Sequence, residues 1–82
     1  MQTLMLDGSR YSSSREFHEA LQKMLSLPAW YGMNADAFHD CLSERAEPIS
    51  LWILSYGEED VAKAIRLIVR VVLDLGGRVR EL

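Results

Sequence analysis

The order of local patterns along this chain predicts an α/β fold: a small three-stranded parallel sheet with helices packed against it. Three observations carry that expectation. Short apolar runs near the start, the middle and the end read as strands. Longer segments with helical periodicity separate them. Each strand-to-strand connection is also long enough for the crossover that parallel neighbours require. At 82 residues, residues 1–82 are expected to form one domain around one modest core.

The elements follow in order. "QTLMLD" (2–7) is a buried strand, closed by the turn signal Asp7-Gly8. "SSRE" supplies Ser13 as an N-cap and Glu16 three residues on. This predicts a capping box in which each side chain satisfies a free backbone N–H. Phe17, Ala20, Leu21, Met24 and Leu25 then recur at helical spacing and form one apolar face, and Pro28 stops the helix. A second helix starts after Asn34, a favourable N-cap. At about 100° per residue, Ala35, Phe38 and Leu42 share one face of it. Asp36, Asp40 and Ser43 cluster on roughly the opposite one.

"ISLWILS" (49–55) is almost continuously apolar, the pattern of a strand covered on both faces. "GEED" places acids in the first turn of the last helix, where the dipole favours them. "VAKAIRLIVRVVLDL" is rich in β-branched residues and by propensity alone suggests a strand. Its polar positions decide otherwise: Lys63, Arg66, Arg70 and Asp74 are spaced three, four and four apart, which is helical. Gly76-Gly77 caps that helix, and "RVREL" forms the final strand. The order is β-α-α-β-α-β.

Composition narrows the function classes. A hydrophobic content of 49% and a charged content of 26% are those of a globular protein and not of a disordered one. The net charge of −3, from 12 acidic and 9 basic residues, weighs against non-specific nucleic-acid binding and fits a basic partner. Cys41 is the only cysteine, which leaves no internal disulfide and no thiolate cluster. "MQTLMLDGSR" lacks the features of a signal peptide. The most apolar stretch, "AIRLIVRVVLDL", carries three charges and does not span a bilayer. A soluble, reducing, cytoplasmic setting is the expectation.

Catalytic signals are sparse. Cys41 lies mid-helix near the apolar flank with no base in view, and a buried inert thiol is its simplest reading. There is no glycine-rich phosphate loop, and Gly32 and Gly57 read as turn residues. Asp36, His39 and Asp40, at i, i+3 and i+4, could ligate a metal from one helix face. His18 stands on another helix and nothing fixes a fourth ligand, so no metal or cofactor is expected. The basic residues Lys63, Arg66, Arg70, Arg78 and Arg80 fit the solvated side of amphipathic elements.

The two carboxylates pose the sharper question. One helical turn apart, Asp36 and Asp40 repel each other. The helix dipole gives Asp36 a structural reason to stand in the first turn, and gives Asp40 little. An acidic helix face next to Trp30 and Tyr31 combines aromatic contact area with steering charge, as interfaces do. Adjacent residues point differently, so one of the two aromatics is expected to pack on the core.

"LPAWYGMNADAFHDCL" (27–42) closely resembles the signature segment of the barstar family, small intracellular inhibitors of microbial ribonucleases. Leu27, Pro28, Tyr31, Gly32, Asn34, Asp36, Ala37, Asp40, Cys41 and Leu42 fall on the family pattern. The resemblance implies a barstar-like fold and an inhibitor without catalysis, whose acidic helix enters a ribonuclease active site. There a rigidly held carboxylate pairs with groups built to bind phosphate. Carried over, Asp40 is the main phosphate mimic, Asp36 a second charge contact and Trp30 the aromatic contact. Ser43 holds the family's small hydroxyl position, and Gly32, Tyr31, Asn34 and His39 complete the contact segment. The implied partner is an extracellular-type or toxin ribonuclease bound before export, with no nucleic acid, no membrane, and a monomeric free state.

This chain also departs from the pattern. His39 stands where the best-known member has tryptophan, and "SERAEP" (43–48) lacks that member's aromatic residue. Where the family has an acidic contact late in the last helix, this chain has Val71 or Val72, with Asp74 nearby. Two other readings stand beside the first: an immunity protein or adaptor for a basic partner that is not a ribonuclease, and a small metal-dependent protein.

Overall fold

The computed structural model describes residues 2–82. Among them the elements are β1 (Gln2–Asp7), α1 (Ser14–Leu25), α2 (Ala35–Ser43), β2 (Ile49–Ser55), α3 (Glu59–Asp74) and β3 (Arg78–Glu81). The strands form one sheet in chain order, β1-β2-β3, with both neighbouring pairs parallel. The α/β, barstar-like architecture expected from the sequence is therefore the one present. Among the described residues, no helix is long and apolar enough to cross a membrane.

Local chemistry accounts for the ends of the elements. The Ser13 hydroxyl accepts the Glu16 N–H at 3.2 Å, half of the expected capping box. The other half is replaced: the Glu16 carboxylate takes the Ser12 hydroxyl. The neighbouring Ser14 N–H is satisfied from α3, by Asp60 Oδ2 at 2.8 Å. The first helix ends before Pro28, with Ser26 in the left-handed region and the Leu27 N–H bonded back to the Gln22 carbonyl at 2.9 Å. At the end of α3, Gly76 takes a φ of 86°, and the N–H groups of Gly76 and Gly77 close onto Leu73 and Val72. A short 3-10 turn at Gly8–Arg10, at the expected Asp7-Gly8 turn signal, follows β1 because the Asp7 carboxylate accepts the Ser9 N–H at 3.1 Å. Gly8 there meets the backbone of Tyr56 and Gly57 so closely that a Cβ on it would collide.

All three helices cover one face of the sheet. Leu4, Leu6, Ile49, Leu51 and Ile53 point into the core, where they meet Phe17 and Leu21 of α1, Phe38 and Leu42 of α2, and Val61, Ile65, Ile68 and Val72 of α3. The expectation that β2 is covered on both faces is corrected here. Its burial alternates, and Trp52 and Leu54 are exposed beside Met5 of β1. The cause is topological. With strands in chain order, both crossovers advance in the same direction, and their common handedness puts both on the same side. Arg80, paired in register with Trp52, lays its guanidinium 5.6 Å from the indole ring. The five basic residues are thus divided between α3, on one face, and β3, and make no single patch.

Candidate partner-binding face on the second helix

α2 is anchored by Phe38, Cys41 and Leu42, which are buried. This fixes the roll of the helix and turns Asp36, His39, Asp40 and Ser43 to solvent as one stripe. Asn34 sets the start of α2. Its Oδ1 accepts the Ala37 N–H at 2.8 Å, and its Nδ2 donates to the Gly32 carbonyl at 3.0 Å. Between them Met33 takes a left-handed φ of 57°, a conformation that costs a non-glycine residue on the order of 1 kcal/mol. The Asn34–Gly32 bridge spans this residue and holds it.

The preceding segment is equally constrained. The Pro28 carbonyl accepts both the Gln22 side chain at 2.9 Å and the Tyr31 N–H at 3.0 Å. Tyr31 is only 4% exposed, and its hydroxyl lies 2.7 Å from Nδ1 of the buried His18. Trp30 is 68% exposed. One aromatic of the adjacent pair therefore packs on the core and the other faces solvent. Tyr31 supports the segment from inside, whereas Trp30, Gly32 and Asn34 lie at its surface.

Neither the Asp36 nor the Asp40 carboxylate is paired with a cation or hydrogen-bond donor of this chain, among the described residues. The Ser43 hydroxyl donates to the Asp40 carbonyl at 2.9 Å and closes the last turn. Cys41 is buried, and desolvation, followed by the nearby Glu44 and Asp40 carboxylates, pushes its thiol pKa up. A raised pKa leaves little thiolate, so this sulfur is a poor nucleophile. Among the described residues no group of three or more His, Cys, Asp or Glu side chains is placed to hold a metal. His18, the other histidine, is committed to Tyr31 in the core.

Two residues of this region were not singled out in the sequence. Glu44 is exposed just past the end of α2 and extends the acidic stripe; its spacing of four from Asp40 was the available signal. Arg45 bonds the Leu25 carbonyl and the Gln2 side chain, both at 3.2 Å, and ties the end of α2 to α1 and β1. No local pattern announces that contact.

The stripe is a ridge rather than a cleft. A cleft of about 550 Å³ lies away from it, between the 3-10 turn and the start of α3. The ridge carries exposed carboxylates, and the exposed Trp30 precedes the helix in the chain.

A family model described as "Barstar (barnase inhibitor)" matches residues 1–79. A Bacillus subtilis (strain 168) protein named "Putative ribonuclease inhibitor YrdF" is 35% identical over 43 residues, which cover 52% of this chain and 47% of that protein. The match thus spans about half the length of that relative.

Proposed function

The chain belongs to the barstar family, and on that premise we propose that it inhibits a microbial ribonuclease by covering the active site with the outer face of α2. Asp40 is the principal phosphate mimic. It is exposed, its carboxylate has no ion-pair or hydrogen-bond partner among the described residues, and the helix dipole gives it little reason to be there. Asp36 adds a second charge, which steers encounter with a basic cleft. Trp30 supplies aromatic contact area at the rim. His39, Ser43, Gly32 and Asn34 border these contacts, with Tyr31 beneath them. No step of this action is catalytic. The ribonuclease is an extracellular or toxin enzyme, bound in the cytoplasm of the producing cell before export, and the free inhibitor is a monomer.

The carrying observation is the Asp36–Asp40 pair, exposed and without a partner among the described residues, on a capped helix that follows exposed Trp30 in the chain. The test is titration calorimetry of the chain, and of Asp40→Ala, against a barnase-type ribonuclease and the secreted ribonucleases of the source cell. Inhibition with a stoichiometry of one, much weakened in the variant, is the expected result. An unchanged dissociation constant for Asp40→Ala removes Asp40 from this role, and no binding to any of these enzymes overturns the proposal.

A further inference from the structure

The three helices meet around a pocket of about 270 Å³ that the proposed inhibition leaves unused. α1 lends it His18, α3 lends Lys63 and Leu67, and Met33 and Ala35 close it beside the start of α2. That volume lies at the small end of ligand sites, so it suits an occupant of a few heavy atoms.

One polar group inside it has no protein partner. His18 is 5% exposed, and its Nδ1 lies 2.7 Å from the hydroxyl of Tyr31, itself 4% exposed. That hydroxyl has no other acceptor among the described residues, so its proton goes to Nδ1. The ring is neutral near neutral pH, since burial holds its pKa below the ordinary 6.5. Its single proton therefore sits on Nε2. Nε2 has no hydrogen-bond partner among the described residues, yet none of their fully enclosed side-chain nitrogens and oxygens lacks one. Nε2–H is therefore open to the pocket that His18 lines. A donor on so deeply buried a side chain is best satisfied by an acceptor that enters from outside.

The charge around the pocket gives that acceptor a sign. Lys63 is exposed on its wall and makes no ion pair among the described residues. Asp60 stands on the same wall, where its Oδ2 accepts the Ser14 N–H at 2.8 Å, and its charge offsets that of Lys63. The first residues of α1 and α2, Ser14 and Ala35, both line the space, and each helix start carries partial positive charge. The balance favours one negative charge and not two. The rest of the lining is apolar: Met33, Ala35, Ala64 and Leu67, the last 45% exposed. A phosphate ion offers nothing to those side chains, and a neutral amide offers no charge to Lys63.

We propose that the pocket binds a monocarboxylate on a short aliphatic stem, its carboxylate held between His18 Nε2–H and the Lys63 ammonium and its stem laid against Met33 and Leu67. Such a group comes either as a free organic acid or as an acidic side chain of a bound protein. The second source rests on the reading of α2 as the contact surface, since Asn34 and Ala35 line the pocket and begin that helix.

The probe is butyrate, titrated at constant ionic strength into the isotope-labelled free chain and followed by nuclear magnetic resonance. The His18 Nε2–H signal and the amides of residues 33–35 and 63–67 should move to saturation. Lys63→Glu, at an exposed position, should weaken butyrate binding about tenfold, the loss of one charge-assisted hydrogen bond. Arg70→Glu makes the same change of charge on the same helix away from the pocket, and should weaken it far less. Circular dichroism confirms that both variants are folded. No saturable movement at His18, equal weakening by the two variants, or equal binding of butyramide overturns the proposal.

The source is read against the ribonuclease of the calorimetric test. A loss of about tenfold in its affinity with Lys63→Glu but not with Arg70→Glu, together with competition by butyrate, assigns the pocket to an acidic side chain of the enzyme. A general charge effect on a basic enzyme has the opposite sign, since replacing Lys63 removes a repulsion. Butyrate binding with unchanged enzyme affinity assigns the pocket to a free acid. Butyrate binding in a chain that binds no ribonuclease leaves the pocket standing and removes the inhibitor reading instead.

Discussion

α2 and α3 both present a charged stripe to solvent, and the two stripes are built differently. On α3, Lys63, Arg66 and Arg70 alternate with buried Val61, Ile65 and Ile68. Arg66 turns back onto its own protein, 5.4 Å from the Tyr56 ring, and Lys63 borders the pocket beside His18. On α2 the Asp36 and Asp40 carboxylates have no ion-pair or hydrogen-bond partner among the described residues. Of the α3 charges, that of Arg66 is thus engaged within its own molecule. Asp36 and Asp40 repel each other, and under the proposed function their carboxylates meet a second molecule. The contrast separates two faces that have the same helical spacing.

The contrast can be broken by four substitutions, in descending order of effect. Asp40→Ala should cost roughly 2–5 kcal/mol of binding free energy, seen as a faster off-rate, with little change in melting temperature. Barnase–barstar is itself among the complexes that set this scale, so the figure comes from the family and not from this chain's geometry. Asp36→Ala should cost about 1 kcal/mol, mainly through a slower on-rate whose deficit shrinks with added salt.

Asn34→Ala removes the N-cap of α2 and should lower folding stability by about 1 kcal/mol, readable as a fall of about 4–8 °C in melting temperature. Arg66→Ala should remove at most about 0.5–1 kcal/mol of stability and leave ribonuclease affinity unchanged. If Arg66→Ala weakened binding as much as Asp36→Ala, the two stripes would be functional equals and the contrast would fail.

Much of this was legible in the sequence because the deciding signals are local. Ser13, Asn34 and Gly76 cap helices through contacts no more than a few residues away. Helical spacing in "VAKAIRLIVRVVLDL" outweighed its β-branched composition, since Arg66, Arg70 and Asp74 must all reach water. The one-sided burial of β2 was not legible from composition: Trp52 and Leu54 face outward yet are as apolar as their inward neighbours. Topology contained that answer, through chain-ordered strands with crossovers of one hand.

At the site, the pattern fixed that one of Trp30 and Tyr31 packs inside. Which of them does so depends on His18, thirteen residues from Tyr31, and on the depth of the core behind it. Such a distant side-chain bond leaves no periodic trace. The turn at Asp7-Gly8 was legible, whereas the close approach of Gly8 to the backbone of Tyr56 and Gly57 was not.

The chain's two tryptophans both lie outside the core, Trp30 on the segment before α2 and Trp52 on the bare face of the sheet. Indole emission is therefore a weak gauge of unfolding in this molecule, and amide circular dichroism is the better one. Replacing Trp52 by phenylalanine keeps an apolar ring on the open sheet and leaves a single emitter. That emitter sits at the rim of the acidic ridge, where a docking enzyme would take it out of water and shift its emission to the blue. If the proposed function holds, Trp30 is an unlabelled optical sensor of complex formation, exposed next to the buried Tyr31.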